Sequence, residues 1–338
     1  MPNSKNMEKV KLSTKDKRIL ELLDKEPNKP YSYIAKKIRI SRQVAEYRIK
    51  KLLSQQTIYA FYTLIDSGRL GYSSFRVHLR VKNVSQEDYA KFAGRLFKDY
   101  STFWVGFVSG SFDIIMDIFA KNFNDFEEVF KDILRKNKKV IQSYDVLAIL
   151  ELDLYNYGYF FEEKRDKDVI IVHKNEDSFE LDKKDKRILR IIKLNSRVSY
   201  EEIGKKAGLS RNAVKHRIKR LEEKRIIAGY KILVNFNHFN KQSFKIFIKY
   251  DNSKIEQEHM LLQDIKQTPG ILNILKFIGK WDLDIEIQIK DIRELQRYII
   301  GLRDRNSIIE NYEIVQIIDD YGIDFYPDKL DQDKKLKD

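Results

Sequence analysis

The chain has 338 residues, roughly twice the usual size of a single domain, with 42% apolar and 34% charged residues and a formal net charge of +14. This composition excludes wholesale disorder, and a cysteine count of zero excludes disulfide frameworks, thiolate metal sites and cysteine nucleophiles. No apolar run approaches the roughly 18 residues needed to cross a bilayer, and no apolar h-region follows the basic N-terminus, so a cytoplasmic protein without a membrane partner is expected.

Taken in chain order, residues 10–61 read as three short helices, a first helix-turn-helix (HTH) domain. Ser13 caps its first helix, Arg39 stands at the tight turn, and Ser41 caps a third helix with the buried stripe Ala45, Ile49 and Leu52. Residues 72–156 follow a different period. Ser73 to Asn83 alternates apolar and polar as a half-buried strand does, a helix is predicted at about 86–99, strands at 102–109 and 112–120, a helix at 124–137 and a strand at 141–153. The order βαββαβ is the ferredoxin-like plan. Residues 159–180 read as a linker with the charge run Glu162–Asp168, and Val169–His173 as a short strand of open placement. Residues 181–230 form a second HTH domain: Asp182 caps a helix with apolar positions Ile188, Leu189, Ile191 and Ile192, Ser199 and Glu202 form a capping box, Gly208 takes positive φ, and Ser210 caps a third helix with the stripe Val214, Ile218 and Leu221. Residues 242–326 repeat the βαββαβ order, with strands at 243–251, 271–278, 281–289 and 309–319 and helices at 255–267 and 291–304. The fold class expected is α+β, two HTH domains (winged or plain) alternating with two ferredoxin-like domains.

The two halves are copies. Leu12–Ala60 overlays Leu181–Gly229 at a constant offset of 169 without a gap, with 18 of 49 positions identical. The offset carries Gly110-Ser-Phe-Asp113 onto Gly279-Lys-Trp-Asp282, and Ser143–Val146 onto Asn311–Ile314 after a one-residue slip. The period is too long for a solenoid, so a two-part unit has been duplicated.

The charge is clustered in the two HTH segments. Residues 1–60 hold 15 Lys and Arg against 6 Asp and Glu, and residues 181–230 hold 16 against 6, which leaves −5 for the other 228 residues. Clustered positive charge marks a polyanion partner. The outer face of each third helix carries the chemistry to read one. It shows Arg42, Gln43, Glu46, Tyr47 and Lys50 in the first copy and Arg211, Asn212, Lys215, His216 and Lys219 in the second, with Arg48 and Arg217 beside them. Arg and Lys suit phosphates and guanine edges, Asn and Gln adenine, and Glu the amino group of cytosine. The copies differ at nearly every reading position, so two unlike half-sites of double-stranded DNA are expected. The five scattered histidines form no short-range ligand pair, and neither metal nor cofactor is expected.

An HTH opening with Leu-x-x-x-Asp-x-x-Ile-Leu, joined to a βαββαβ domain bearing Gly-x-x-Asp, resembles the Lrp/AsnC (feast/famine) transcription regulators. Leu12, Asp16, Ile19, Leu20 and Leu181, Asp185, Ile188, Leu189 carry the opening. Leu209-Ser210, Val214, Arg217, Ile218 and Leu221 match the recognition helix closely; Ile40, Ser41, Ala45, Arg48, Ile49 and Leu52 match it less well. The resemblance implies a regulator that pairs through its βαββαβ domains, within the chain as a pseudo-dimer and between chains as a homodimer, and that holds an amino-acid effector near Gly110, Asp113, Gly279 and Asp282. The same four residues also suit a plain hairpin, with each glycine making the turn and each aspartate capping it.

Two other readings compete. Siroheme decarboxylases resemble the same family in fold and occur as paired halves, but the His-Asn-Tyr stretch of that group is absent here. A chromatin-like protein coating DNA with little sequence preference fits the lysine content, and the varied polar reading positions argue against it. The expectation is a nucleoid-associated transcription regulator and not an enzyme.

Overall fold

The computed structural model describes residues 10–82, 85–158, 170–172 and 178–330. The charge run Glu162–Asp168 lies outside the described residues. The first half opens with α1 (Thr14–Lys25), α2 (Tyr31–Ile38) and α3 (Arg42–Ser54); the second with α6 (Lys183–Ile192), α7 (Tyr200–Ala207) and α8 (Arg211–Glu223). The Ser13 hydroxyl accepts the Asp16 amide at 3.2 Å, and the Asp16 carboxylate accepts the Ser13 amide at 2.9 Å. This reciprocal box satisfies two amides that the first turn leaves without partners. Asp182 accepts the Lys184 and Asp185 amides at 2.8 Å. Ser41 and Ser210 cap the third helices. The box expected at Ser199 is half formed. Ser199 accepts the Glu202 amide, but the Glu202 carboxylate pairs with Lys206, one helical turn on, at 2.8 Å. The tight turn is left-handed in both copies, at φ 67° for Gly208 and φ 56° for Arg39. Only the arginine bears a Cβ penalty there.

Each third helix runs into a strand that the sequence periodicity does not announce. β1 (Ile58–Ile65) and β7 (Ile227–Val234) pair antiparallel with one another, from Ile58 opposite Val234 to Ile65 opposite Ile227. Both HTH units therefore hang on one shared ribbon.

In the first half the ribbon is followed by β2 (Ser73–Val81), α4 (Gln86–Asp99), β3 (Thr102–Ser109), β4 (Ile114–Ala120), α5 (Phe123–Lys136), β5 (Ile141–Leu154) and β6 (Ile170–Val172). In the second come β8 (Gln242–Tyr250), α9 (Glu258–Gln267), β9 (Ile271–Ile278), β10 (Leu283–Ile289), α10 (Ile292–Arg305) and β11 (Ile309–Ile323). Helix α9 is shorter than the expected 255–267 because a 3-10 turn occupies Asn252–Gln257.

The strand orders β5-β2-β4-β3 and β11-β8-β10-β9 are the ferredoxin-like arrangement in each half. The halves then join twice, β3 to β11 and β9 to β5, which closes eight strands into a barrel. The closing strands are long because each serves both halves. β5 pairs with β2 up to Ile149 and with β9 from Ala148 to Leu154; β11 pairs with β8 up to Ile317 and with β3 from Gln316 to Ile323. Register shifts fall at the matching residues Leu150 and Ile318, where each strand changes partner. β6, the strand expected near Val169–His173, pairs with Leu152–Leu154 of β5.

Helices α4 and α5 cover the outer face of the first half's strands, and α9 and α10 that of the second's. The inner face corrects the reading of β2 as half-buried. Arg76 and His78 hold the polar positions of the alternation, yet they are 1% and 0% exposed, because closure of the barrel buries both faces. His78 packs between Phe112 and Phe247 at ring distances of 4.4 and 4.8 Å. Burial, then the Arg76 and Lys245 cations, hold it well below its ordinary pKa, so it stays neutral. Arg76 grips Asp117 with two hydrogen bonds of 2.6 Å and also reaches Asp284, which Lys245 bonds at 3.0 Å. No helix among the described residues is long and apolar enough to cross a membrane.

Candidate nucleic-acid interface

The capped third helices bury Ala45, Ile49 and Leu52 on α3 and Val214, Ile218 and Leu221 on α8. Helical spacing then forces the residues between them outward. Arg42, Gln43, Tyr47 and Lys50 are exposed on α3, and Arg211, Asn212, Lys215, His216 and Lys219 on α8. Tyr47 is 67% exposed, a large fraction for an aromatic ring. Glu46 is half-buried and pairs with Lys50 at 2.9 Å across one turn. The hydrogen bond from Lys50 holds Glu46 below the usual carboxylate range. Arg211 pairs with Glu201 of α7 at 2.7 Å, and Lys219 with Glu223 at 3.4 Å.

Two arginines read from the sequence as outward donors are placed differently. Arg48 bonds Asp16 at 2.8 Å and Ser13 at 3.0 Å; Arg217 bonds Asp182 at 2.6 Å and Asp185 at 2.8 Å. Each guanidinium reaches back to the capped start of its first helix, where the carboxylates that cap the helix attract it. The third helices are therefore clamped, α3 to α1 and α8 to α6. Burial works against ionisation of Asp16, but hydrogen bonds from Ser13 and Arg48 outweigh it and keep the carboxyl below its ordinary range. Arg220 adds a further bond to Asp185 in the second copy alone.

The relative placement of α3 and α8 rests on residues that carry no distinguishing pattern in the sequence. Arg197, in the α6–α7 loop, donates to the Pro27 carbonyl of the α1–α2 loop and lies over the Tyr31 and Phe61 rings at 4.9 and 5.0 Å. Ser196 bonds Asn28 at 2.6 Å, and Thr63 of β1 bonds the Ile192 carbonyl at 2.8 Å. These contacts join one HTH unit to the other and both to the ribbon. Only a charge pattern was available from the sequence at Arg197, and surface arginines are common.

The Gly-x-x-Asp turns link β3 to β4 and β9 to β10. Gly110 and Gly279 both have φ 148°, where a side chain is strained; a Cβ at Gly110 would also lie 2.9 Å from Val315. Asp113 accepts the Val81 amide at 2.9 Å, and Asp282 the Tyr250 amide at 2.8 Å. Each aspartate thus stitches its turn to the end of the neighbouring strand.

Residues 181–222 match the AsnC-type helix-turn-helix domain, and residues 12–58 match a winged helix-turn-helix DNA-binding family. The chain is 32% identical over 121 residues to an uncharacterized HTH-type transcriptional regulator of Pyrococcus abyssi, covering 36% of this chain and 81% of that protein. It is 33% identical over 120 residues to the HTH-type transcriptional regulator Ptr1 of Methanocaldococcus jannaschii, covering 35% and 79%. Across 93% of this chain and 96% of the other, the fold is similar to the crystal structure of the siroheme decarboxylase NirDL, with a TM-score of 0.62 and 14% identity. At that identity the likeness is one of fold alone.

Proposed function

The chain belongs to the Lrp/AsnC family of helix-turn-helix transcriptional regulators, and from that premise we propose that it binds one asymmetric DNA site with two unlike readers, α3 and α8. The observation that carries the reading is the shared ribbon β1–β7, which fixes both recognition helices to one frame while their outward faces differ. Where α3 offers Gln43, Glu46 and Tyr47, α8 offers Asn212, Lys215 and His216. On α3, Gln43 suits adenine and Tyr47 a thymine methyl, with Glu46 available to cytosine once Lys50 turns to a phosphate. On α8, Asn212 suits adenine and Lys215 guanine, while Arg42, Arg211, Lys50 and Lys219 meet the backbone. Arg48 and Arg217 act as positioning residues. The pairing of the ferredoxin-like domains 72–156 and 242–326 within one chain supports a pseudo-dimer; a second chain would double it. An amino-acid effector at Gly110, Asp113, Gly279 and Asp282 would sit at a surface formed between such chains and act by favouring one arrangement of the readers.

The test is selection of randomised duplex DNA on the purified chain at physiological salt, followed by sequencing of the bound pool. Enrichment of a bipartite, non-palindromic motif with centres about one helical turn or a multiple apart is the expected result. Binding without enrichment would replace this reading with the chromatin-like one. The decarboxylase reading draws on fold alone, and the barrel offers a cavity of about 90 Å³, far below the roughly 300–1,000 Å³ of ordinary ligand pockets.

A further inference from the structure

That cavity lies at the end of the barrel nearest the ribbon. Arg76, Asp117, Lys245 and Glu286 of the barrel form its floor, and Tyr62 of β1 and Lys231 of β7 belong to the strands that carry the readers. It is separate from the Gly-x-x-Asp turns. Gly110 lies six positions along extended β3 from Trp104 on its wall, about 20 Å of chain.

We propose that this cavity binds a small organic ammonium ion, held by Asp320 and Glu286, and that its occupancy alters the seating of the β1–β7 ribbon on the barrel.

The cations already present are engaged. Arg76 is held by Asp117 and Asp284, Lys245 by Asp284 and Glu286, and Lys231 donates to the Tyr155 carbonyl and the Asn156 side-chain oxygen. An anionic ligand would have to displace a carboxylate from Arg76 or Lys245, or the carbonyl and amide oxygens from Lys231. The acceptors are less fully used. Asp320 lines the cavity and takes a hydrogen bond of 2.7 Å from Trp104 Nε1 through one carboxylate oxygen. Glu286 accepts from Asn273 at 2.8 Å, Ser243 at 3.2 Å and Lys245 at 3.4 Å.

Charge balance points the same way. Arg76, Lys231 and Lys245 are matched by Asp117, Asp284 and Glu286, so an empty site is neutral with Asp320 protonated and has room for one positive charge when Asp320 ionises. Burial and the Glu286 carboxylate push Asp320 up to about 7, with Asp319 on its own strand adding to the shift and the Trp104 bond and Lys245 opposing it. Tyr59 of β1 also lies close enough to feel its charge. The walls include Tyr62, Phe103 and Phe325, rings that suit an alkyl ammonium. The volume equals about three waters at ~30 Å³ each, which limits the ligand to a few heavy atoms and excludes a tetrapyrrole.

The test is calorimetric titration of the full chain at pH 6, where Asp320 is still mostly protonated, with ethylamine, glycine and acetate, repeated in buffers of different ionisation enthalpy. Saturable binding of ethylamine with release of close to one proton, and no binding of acetate, is expected. Glycine binding as well would identify the ligand as an amino acid and its absence as a simple amine; both carry the ammonium proposed. Asp320→Asn, which keeps the side-chain shape, should weaken ethylamine at least 10-fold and abolish proton release, and Leu233→Phe should block the cavity with Asp320 intact. No ethylamine binding, or binding indifferent to both substitutions, would overturn the proposal. The effect on the readers rests on α3 and α8 binding DNA. Unchanged DNA affinity with ethylamine bound would overturn that half, whereas a chain that binds ethylamine but no DNA would sink the functional reading and leave the site standing.

Discussion

Arg76 and Lys245 stand 169 positions apart at matching places on β2 and β8, and both converge on Asp284 of β10. The matching residue of the first half is Ile115, so one carboxylate serves two cations and the pseudo-symmetry fails at the centre of the barrel. Replacing Asp284 by Asn strands part of that positive charge in a site that is 0% exposed. We expect Asp284→Asn to destabilise the chain by about 3–5 kcal/mol, read as a lower midpoint of urea unfolding. An unchanged midpoint would mean that Asp117 and Glu286 neutralise both cations unaided.

Asp320 makes stability depend on pH. Its folded-state pKa is raised from 3.8 to about 7, so between those values the folded chain binds more protons than the unfolded one, and stability falls as pH rises. Its burial therefore costs nothing below pH 4 and most above pH 7. Asp320→Asn should raise the melting temperature by several degrees at pH 8 and by much less at pH 5. Lys245 acts at the other end of the range. Burial and Arg76 lower it from 10.5 to about 8, so its contribution to stability rises between pH 8 and 10.5, as the folded state sheds a proton that the unfolded state keeps.

On the selected duplex, Lys215→Ala and Asn212→Ala should each weaken specific binding by about 1–3 kcal/mol and relax preference at one base pair. Arg42→Ala should weaken all sequences alike and flatten the dependence on salt. Fluorescence anisotropy at several salt concentrations separates the two patterns. Equal effects from all three substitutions would mean that α8 does not read bases.

Arg217→Ala should behave as a loss of structure. It leaves Asp185, 2% exposed, with Arg220 as its remaining cation, and should lower the stability of the second HTH by about 1–3 kcal/mol. The measure is hydrogen exchange across α6 and α8, with little change if Arg217 serves DNA alone.

The left-handed turn at Arg39 gives a prediction of opposite sign. Arg39→Gly removes the Cβ penalty that Gly208 already avoids and should stabilise the first HTH by up to about 1 kcal/mol, visible as a higher melting temperature.

Legibility in the sequence followed the range of the interactions involved. Helix starts were plain because Ser13, Ser41, Asp182 and Ser210 act on amides two or three residues away. The βαββαβ order was plain from alternation, and the outward faces of α3 and α8 from helical spacing. What escaped depends on partners distant in the chain, some of them more than a hundred residues away. Ile58–Ile65 becomes a strand because Ile227–Val234 lies beside it, and Arg76 turns inward because β11 and β9 close a barrel that β2 alone does not announce. Arg48 and Arg217 carried the right charge for DNA, but the carboxylates that claim them lie 32 and 35 positions earlier in the chain.

Closure of the barrel by β5 and β11 has a consequence for mass action. Two separate subunits joined through the same strands would part on dilution, and their joint occupancy of DNA would fall with protein concentration. Here the junctions β9–β5 and β3–β11 lie within one polypeptide, so α3 and α8 stay together at any concentration. A substitution in either half also occurs once per chain, so the outer face of α3 can change without a matching change in α8.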